Sequence, residues 1–119
     1  MSAPTIKPVE PGIDIRKLKA GTTILLEADP YLYEMRVMYP VHGVVEISSS
    51  DPRLRIATVG QLLHSVHWSS PTVPRPLWIG KALVLEIRFR NGIYRTQPVT
   101  AAGIKGKRDD GSHWSYDVF

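Results

Sequence analysis

The sequence predicts an all-β domain: a small antiparallel β-barrel, split-barrel or SH3-like, with about six strands and one short helix. Three observations carry this. Residues 81–99 read KALVLEIRFRNGIYRTQPV, where Leu83, Leu85, Ile87 and Phe89 alternate with Val84, Glu86, Arg88 and Arg90 at the period of a strand. Asn91-Gly92 follows, a pair that tolerates positive φ at both central positions of a two-residue hairpin turn. Ten prolines and nine glycines punctuate the remaining strand-rich pattern, which indicates many short turns and no long helix.

The elements follow in order. Pro4, Pro8 and Pro11 with little apolar content make residues 1–17 a flexible N-terminal arm, and Arg16, Lys17 and Lys19 form a short basic lead-in where it meets the barrel. Residues 18–119 form the single barrel domain. A first strand covers 22–28 and stops at Asp29-Pro30, whose chemistry suits a turn. A long second strand covers 31–39, with Tyr31, Tyr33, Met35, Val37 and Tyr39 on one face, and a third covers 44–48. Thr58 and Gln61 have capping-box spacing, and Leu62, Leu63 and Val66 form a helical stripe, so a short helix is expected over 59–67, plugging one barrel end. The prolines of 69–76 demand an extended loop; its PxxP spacing beside Arg75 reads as a stiff connection open to partner contact. Residues 78–80 return to the sheet ahead of the hairpin. Strands at 101–106 and 113–119 complete the set, the last with Trp114, Tyr116 and Val118 on one side. Closure removes the exposed edges such strands would otherwise present.

At 119 residues the chain suits one domain with enough core to fold without staples. It has no cysteine, which removes disulfides and thiolate metal sites and fits a reducing cytoplasm. No apolar run is long enough to span a bilayer and no signal-peptide pattern opens the chain, so no membrane insertion is expected. The net charge of +4 favours acidic partners, nucleic acid among them, without demanding any.

A two-residue Asn91-Gly92 turn would set Arg88 opposite Arg95 and Phe89 opposite Tyr94. Like charges in register are mildly destabilising, a cost that a solvated outer face tolerates or that an anion or acidic partner offsets. Arg88, Arg90 and Arg95 are therefore the candidate partner- or anion-binding residues, extended by Lys105, Lys107 and Arg108. Arg53, Arg55 and Arg75 are candidate loop contacts.

Catalytic signatures are sparse. His64 and His67 would share a helical face, with His42, His113 or Asp51 as a third metal ligand, but no HExxH or motif-spaced carboxylate accompanies them. The serines sit in turns without a GxSxG elbow. Glu27, Glu34, Glu46 and Glu86 occupy separate strands, and no phosphate-binding glycine loop occurs. The expectation is a non-enzyme with no catalytic residue, metal or cofactor.

The order of landmarks resembles the N-terminal, PilZN-type split-barrel domain of bacterial flagellar-brake proteins. Leu18-Lys19-Ala20-Gly21 is similar to the step that leads into its first strand, and Tyr33-Glu34-Met35-Arg36-Val37 to its second. Ile47-Ser48 resembles the end of the third, and residues 80–83, then Gly92-Ile93-Tyr94 and Thr96, resemble its later hairpin. The likeness spans residues 18–99 and implies a non-enzymatic regulatory or protein-contact domain. It does not imply cyclic di-GMP binding, because the RxxxR and [DN]xSxxG motifs of the neighbouring PilZ domain do not occur in this chain.

The sequence thus points to a β-barrel interaction module that contacts another protein, with nucleic-acid binding across the basic hairpin face as the alternative and a homo-oligomer compatible with either.

Overall fold

Period-two alternation governs the computed structural model, which describes residues 12–67, 70–107 and 113–117, with side chains over 12–67 and 74–105. Among the described residues eleven strands are formed: β1 (Gly12–Asp14), β2 (Thr23–Ala28), β3 (Tyr31–Tyr39), β4 (Val44–Ser49), β5 (Thr58–His67), β6 (Ser70–Pro76), β7 (Trp78–Gly80), β8 (Leu83–Phe89), β9 (Gly92–Arg95), β10 (Ala101–Lys107) and β11 (His113–Asp117). The helical pieces among the described residues are 3-10 turns at Ile15–Lys17, Pro40–His42 and Pro52–Leu54. Among the described residues no helix is long and apolar enough to cross a membrane.

The main sheet is antiparallel throughout, in the order β11-β10-β2-β3-β4-β5-β8-β9, with β6 beside β5. All-β antiparallel architecture is thus as the alternation predicts, while no closed ring of strand pairing forms among the described residues. The sheet instead curls around one core. Ile24 and Leu26 of β2, Met35 and Val37 of β3, Val45 and Ile47 of β4, Leu62 of β5, and Leu85 and Ile87 of β8 all turn inward and are buried. The segment joining β9 to β10 touches both flanks of this curl. Thr96 N–H donates to the Leu85 carbonyl at 3.0 Å and Val99 N–H to Leu83 at 3.0 Å, then Thr100 N–H donates to Glu27 at 2.7 Å. This short strap runs from the β8 flank to the β2 flank, and Val99 plugs the core between them.

Three expectations are corrected. Residues 59–67 are not a helix but the body of β5, bonded to β4, β6 and β8. A bulge between Leu62 and His64 adds one residue, so the buried positions run Gly60, Leu62, Ser65, while Leu63 and Val66 of the expected stripe are only half-buried. Gly60 is required there, since a Cβ would lie 2.6 Å from Phe89 Cε1 and 2.9 Å from Ile87 Cγ2. Second, residues 70–76 are extended as expected but form a strand, β6, pairing Pro76 with His64 and Arg75 with Ser65. An outer strand tolerates proline because its outward side needs no donor.

Third, the ordered domain begins well before residue 18. β1 pairs with β7 as a separate two-stranded sheet, Ile13 opposite Ile79. Ile13 and Ile15 are buried in the core, and Ile15 N–H donates to the Leu77 carbonyl at 3.0 Å. Asp14 caps the following turn and is bonded by Arg16, which holds its carboxyl below the usual range. The rest of the expected arm, residues 1–11, lies outside the described residues.

Candidate protein-interaction face

The β8–β9 hairpin has a register two residues away from the Asn91-Gly92 expectation. Phe89 pairs with Gly92, Arg88 with Ile93, Ile87 with Tyr94 and Glu86 with Arg95, so the turn residues are Arg90 and Asn91. A two-residue shift keeps every side chain on its expected face and changes every cross-strand partner. The Arg88–Arg95 opposition therefore does not exist. Arg95 Nε instead donates to Glu86 Oε2 at 3.2 Å, and His64 Nε2 lies 3.0 Å from Glu86 Oε1. Glu86 is nearly buried with both oxygens committed. His64, His67, Glu86 and Arg95 line a groove of about 320 Å³ together with Val66, Pro74 and Val84. Among the described residues no three metal-ligating side chains converge.

Arg88 has a different setting. Its Nη2 donates to Gln61 Oε1 at 2.6 Å, and Gln61 Nε2 donates to the His42 carbonyl at 3.0 Å. A neutral amide thus fixes the guanidinium and leaves its charge uncompensated. Arg90 is exposed in the turn, and neither arginine has a carboxylate partner among the described residues.

Successive ladders place Tyr39 opposite Val44, Val44 opposite Gln61, Gln61 opposite Arg88 and Arg88 opposite Ile93. These five residues form one transverse row over β3, β4, β5, β8 and β9 on the solvent face. Two of its apolar members are open to solvent, Tyr39 at 61% and Ile93 at 55%, with Val41 at 70% and Val59 at 50% beside them, while Val44 is half-buried. The adjacent row runs Lys105, Thr23, Arg36, Glu46, Val59. There the cations are matched, Arg36 to Glu46 at 3.5 Å and Lys105 to Glu34 at 2.9 Å.

The predicted basic cluster therefore divides. Arg88, Arg90 and Arg95 share the hairpin, with only the first two lacking a carboxylate. Lys105 sits on β10, separated from β8 by four intervening strands in the sheet order, on Glu34. Lys107 closes β10, its side chain beyond the described set, and Arg108 lies outside the described residues.

The three loop arginines divide as well. Arg55 is exposed. Arg75 stacks its guanidinium 4.2 Å above the Trp78 ring. Arg53 belongs to a buried polar cluster that sequence reasoning did not find. Asp51 is 1% exposed, and its carboxylate accepts from Arg53 main-chain N–H at 3.0 Å, from Arg53 Nη2 at 2.7 Å and from the Tyr94 hydroxyl. Because Tyr94 spends its proton on Asp51, the Tyr33 hydroxyl is the donor in the 2.7 Å Tyr33–Tyr94 contact. Arg53 also lies over the Tyr94 ring at 5.0 Å. The Arg53 bonds hold the Asp51 carboxyl well below the carboxylate range against the opposing effect of burial. Burial, then the Asp51 carboxylate, pushes the Tyr94 phenol well above its ordinary value. Such a phenol is a proton holder at neutral pH, neither base nor nucleophile. The legible trace of the cluster is Asp51-Pro52-Arg53, an acid two residues before a backbone donor, which is an Asp-capped turn.

Among the described residues no buried side-chain nitrogen or oxygen lacks a partner. Comparison with protein-family models, with curated proteins and with solved structures gives no match.

Proposed function

We propose that the chain is a non-enzymatic binding module that docks on another protein through the solvent face of β3, β4, β5, β8 and β9. The observation that carries this is the Tyr39–Val44–Gln61–Arg88–Ile93 row, in which exposed apolar side chains flank an arginine fixed by an amide. Aromatic residues and arginine are enriched at protein–protein contacts, where a central cluster dominates the energy. Pre-fixing Arg88 lowers the ordering entropy that docking would otherwise cost. The resemblance of residues 18–99 to PilZN-type domains supports a regulatory role, and with the absence of cysteine it supports a bacterial cytoplasmic setting. A nucleic-acid reading draws less support, because Arg36, Arg95 and Lys105 each rest on a glutamate and phosphate binding needs several uncompensated cations along one track.

The test is affinity capture from the native source with wild-type protein and an Arg88→Glu, Ile93→Asp double variant of unchanged melting temperature. A protein partner retained after nuclease digestion by the wild type and lost by the variant is expected. An identical set of captured proteins, or a set that vanishes with nuclease, overturns the proposal.

A further inference from the structure

The exposed edge of β9 suggests how the partner is held. Thr96 N–H bonds to Leu85, so the hydrogen-bonded positions of the hairpin continue through the Tyr94–Ile87 pair. In an antiparallel ladder the alternate residues point their main-chain groups the other way. Ile93 and Arg95 therefore direct N–H and C=O away from β8, and among the described residues nothing receives them. The edge is held in place from inside, because Tyr94 is tied to Asp51 and Tyr33.

We propose that this edge accepts an acidic, extended peptide segment of the partner as an added β-strand. The inference rests on the protein-docking reading above and names the partner's chemistry. Charge selects the occupant. Arg88, Arg90 and Arg95 surround the edge, and Arg95 keeps most of its side chain exposed despite Glu86. Two copies joined through β9 would crowd two sets of Arg88, Arg90 and Arg95 around one ladder, which like charge disfavours. A strand carrying glutamate or aspartate at alternate positions reverses that sign. It gains main-chain bonds at Ile93 and Arg95 while its carboxylates share the solvent face with the arginines, the usual division between affinity and specificity in strand addition.

The probe is a capped hexapeptide alternating glutamate and valine, titrated to millimolar concentration and followed by amide NMR. The expected result is saturable shifts with new exchange protection at the Ile93 and Arg95 amides. The same peptide with lysine for glutamate should give none, and an Arg88→Gln, Arg90→Gln variant should bind at least 10-fold more weakly. Ile93→Pro removes an outward N–H that β8 does not use and should abolish the protection while the β8–β9 cross-strand contacts persist. Saturation without protection of those two amides, equal binding of the lysine peptide, or no binding overturns strand addition. If the peptide fails while Arg88→Glu, Ile93→Asp still loses the captured partner, docking is by side chains alone and the module reading stands. If both fail, the face has no such role.

Discussion

Tyr94 of β9 donates its phenolic proton to Asp51, 43 residues earlier in the chain and in the turn that follows β4. Through the Tyr33 hydroxyl the same phenol reaches β3. One hydrogen-bonded chain thus ties the last strand of the sheet order to its centre, across the curl instead of along the ladders.

Tyr94→Phe removes that tie without emptying the space. It leaves the Tyr33 hydroxyl without its acceptor and Asp51 with Arg53 alone, so a loss of about 1–3 kcal/mol is expected. Tyr33→Phe should cost less, since Tyr94 keeps its bond to Asp51. Urea unfolding of the two single variants and the double variant measures the coupling, and strictly additive losses would contradict a continuous chain.

The same cluster sets both limits of pH stability. Asp51 has a folded pKa below its unfolded value of about 3.9, so its contribution is complete above that pH and is lost as pH falls through the folded value. Tyr94 and Tyr33 are raised above about 10, so their contribution is complete below that pH and is lost as pH rises through their folded values. Asp14, lowered by Arg16, adds to the acid limb. Asp51→Asn should flatten the acid limb and Tyr94→Phe the alkaline one, read by urea midpoints from strongly acidic to strongly alkaline pH.

Charge reversal on the hairpin distinguishes the two registers. With Glu86 opposite Arg95, Arg95→Glu sets carboxylate against carboxylate and should destabilise by about 0.2–1 kcal/mol. Arg88→Glu faces Ile93 and should change stability by less than about 0.5 kcal/mol. In the register suggested by Asn91-Gly92 either change alone would create an Arg–Glu pair and stabilise. Thermal melts at low salt decide the matter.

Gly60→Ala should destabilise by about 1–3 kcal/mol, because its methyl group enters the space of Phe89 and Ile87. Adding Phe89→Leu to that variant should recover part of the loss, as measured by melting temperature.

The strands of strict alternation were legible. Residues 31–37 and 83–89 turn the same side chains inward that their sequence pattern marks, because one buried face per strand permits no other phase, but a bulge between Val37 and Tyr39 turns Tyr39 outward against its expected face. β5 was not, because its bulges break the period and its capping-box residues are overruled by ladders on both edges. The hairpin showed its faces but hid its partners: the register follows from where the turn sits, and Arg90-Asn91 displaced Asn91-Gly92 by one position. The row from Tyr39 to Ile93 was out of reach because the spacing over 59–67 points to a helix, and Gln61 meets Arg88 only once β5 is a strand. Asp51 was visible as a turn former; its phenol partner lies on another strand, and local sequence carries no signal for that meeting.

The strap from Thr96 to Thr100 has a consequence for how the chain is made. β2 gains its β3 neighbour almost as soon as both are synthesised, but its other edge waits for β10, more than 60 residues later. At ribosomal speed that delay is on the order of several seconds. Throughout it Ile24 and Leu26 sit on a strand whose unpaired edge is a template for any other extended chain. The emergence of residues 96–105, which bring the strap and β10, is therefore the moment at which this edge of β2 is closed to other chains.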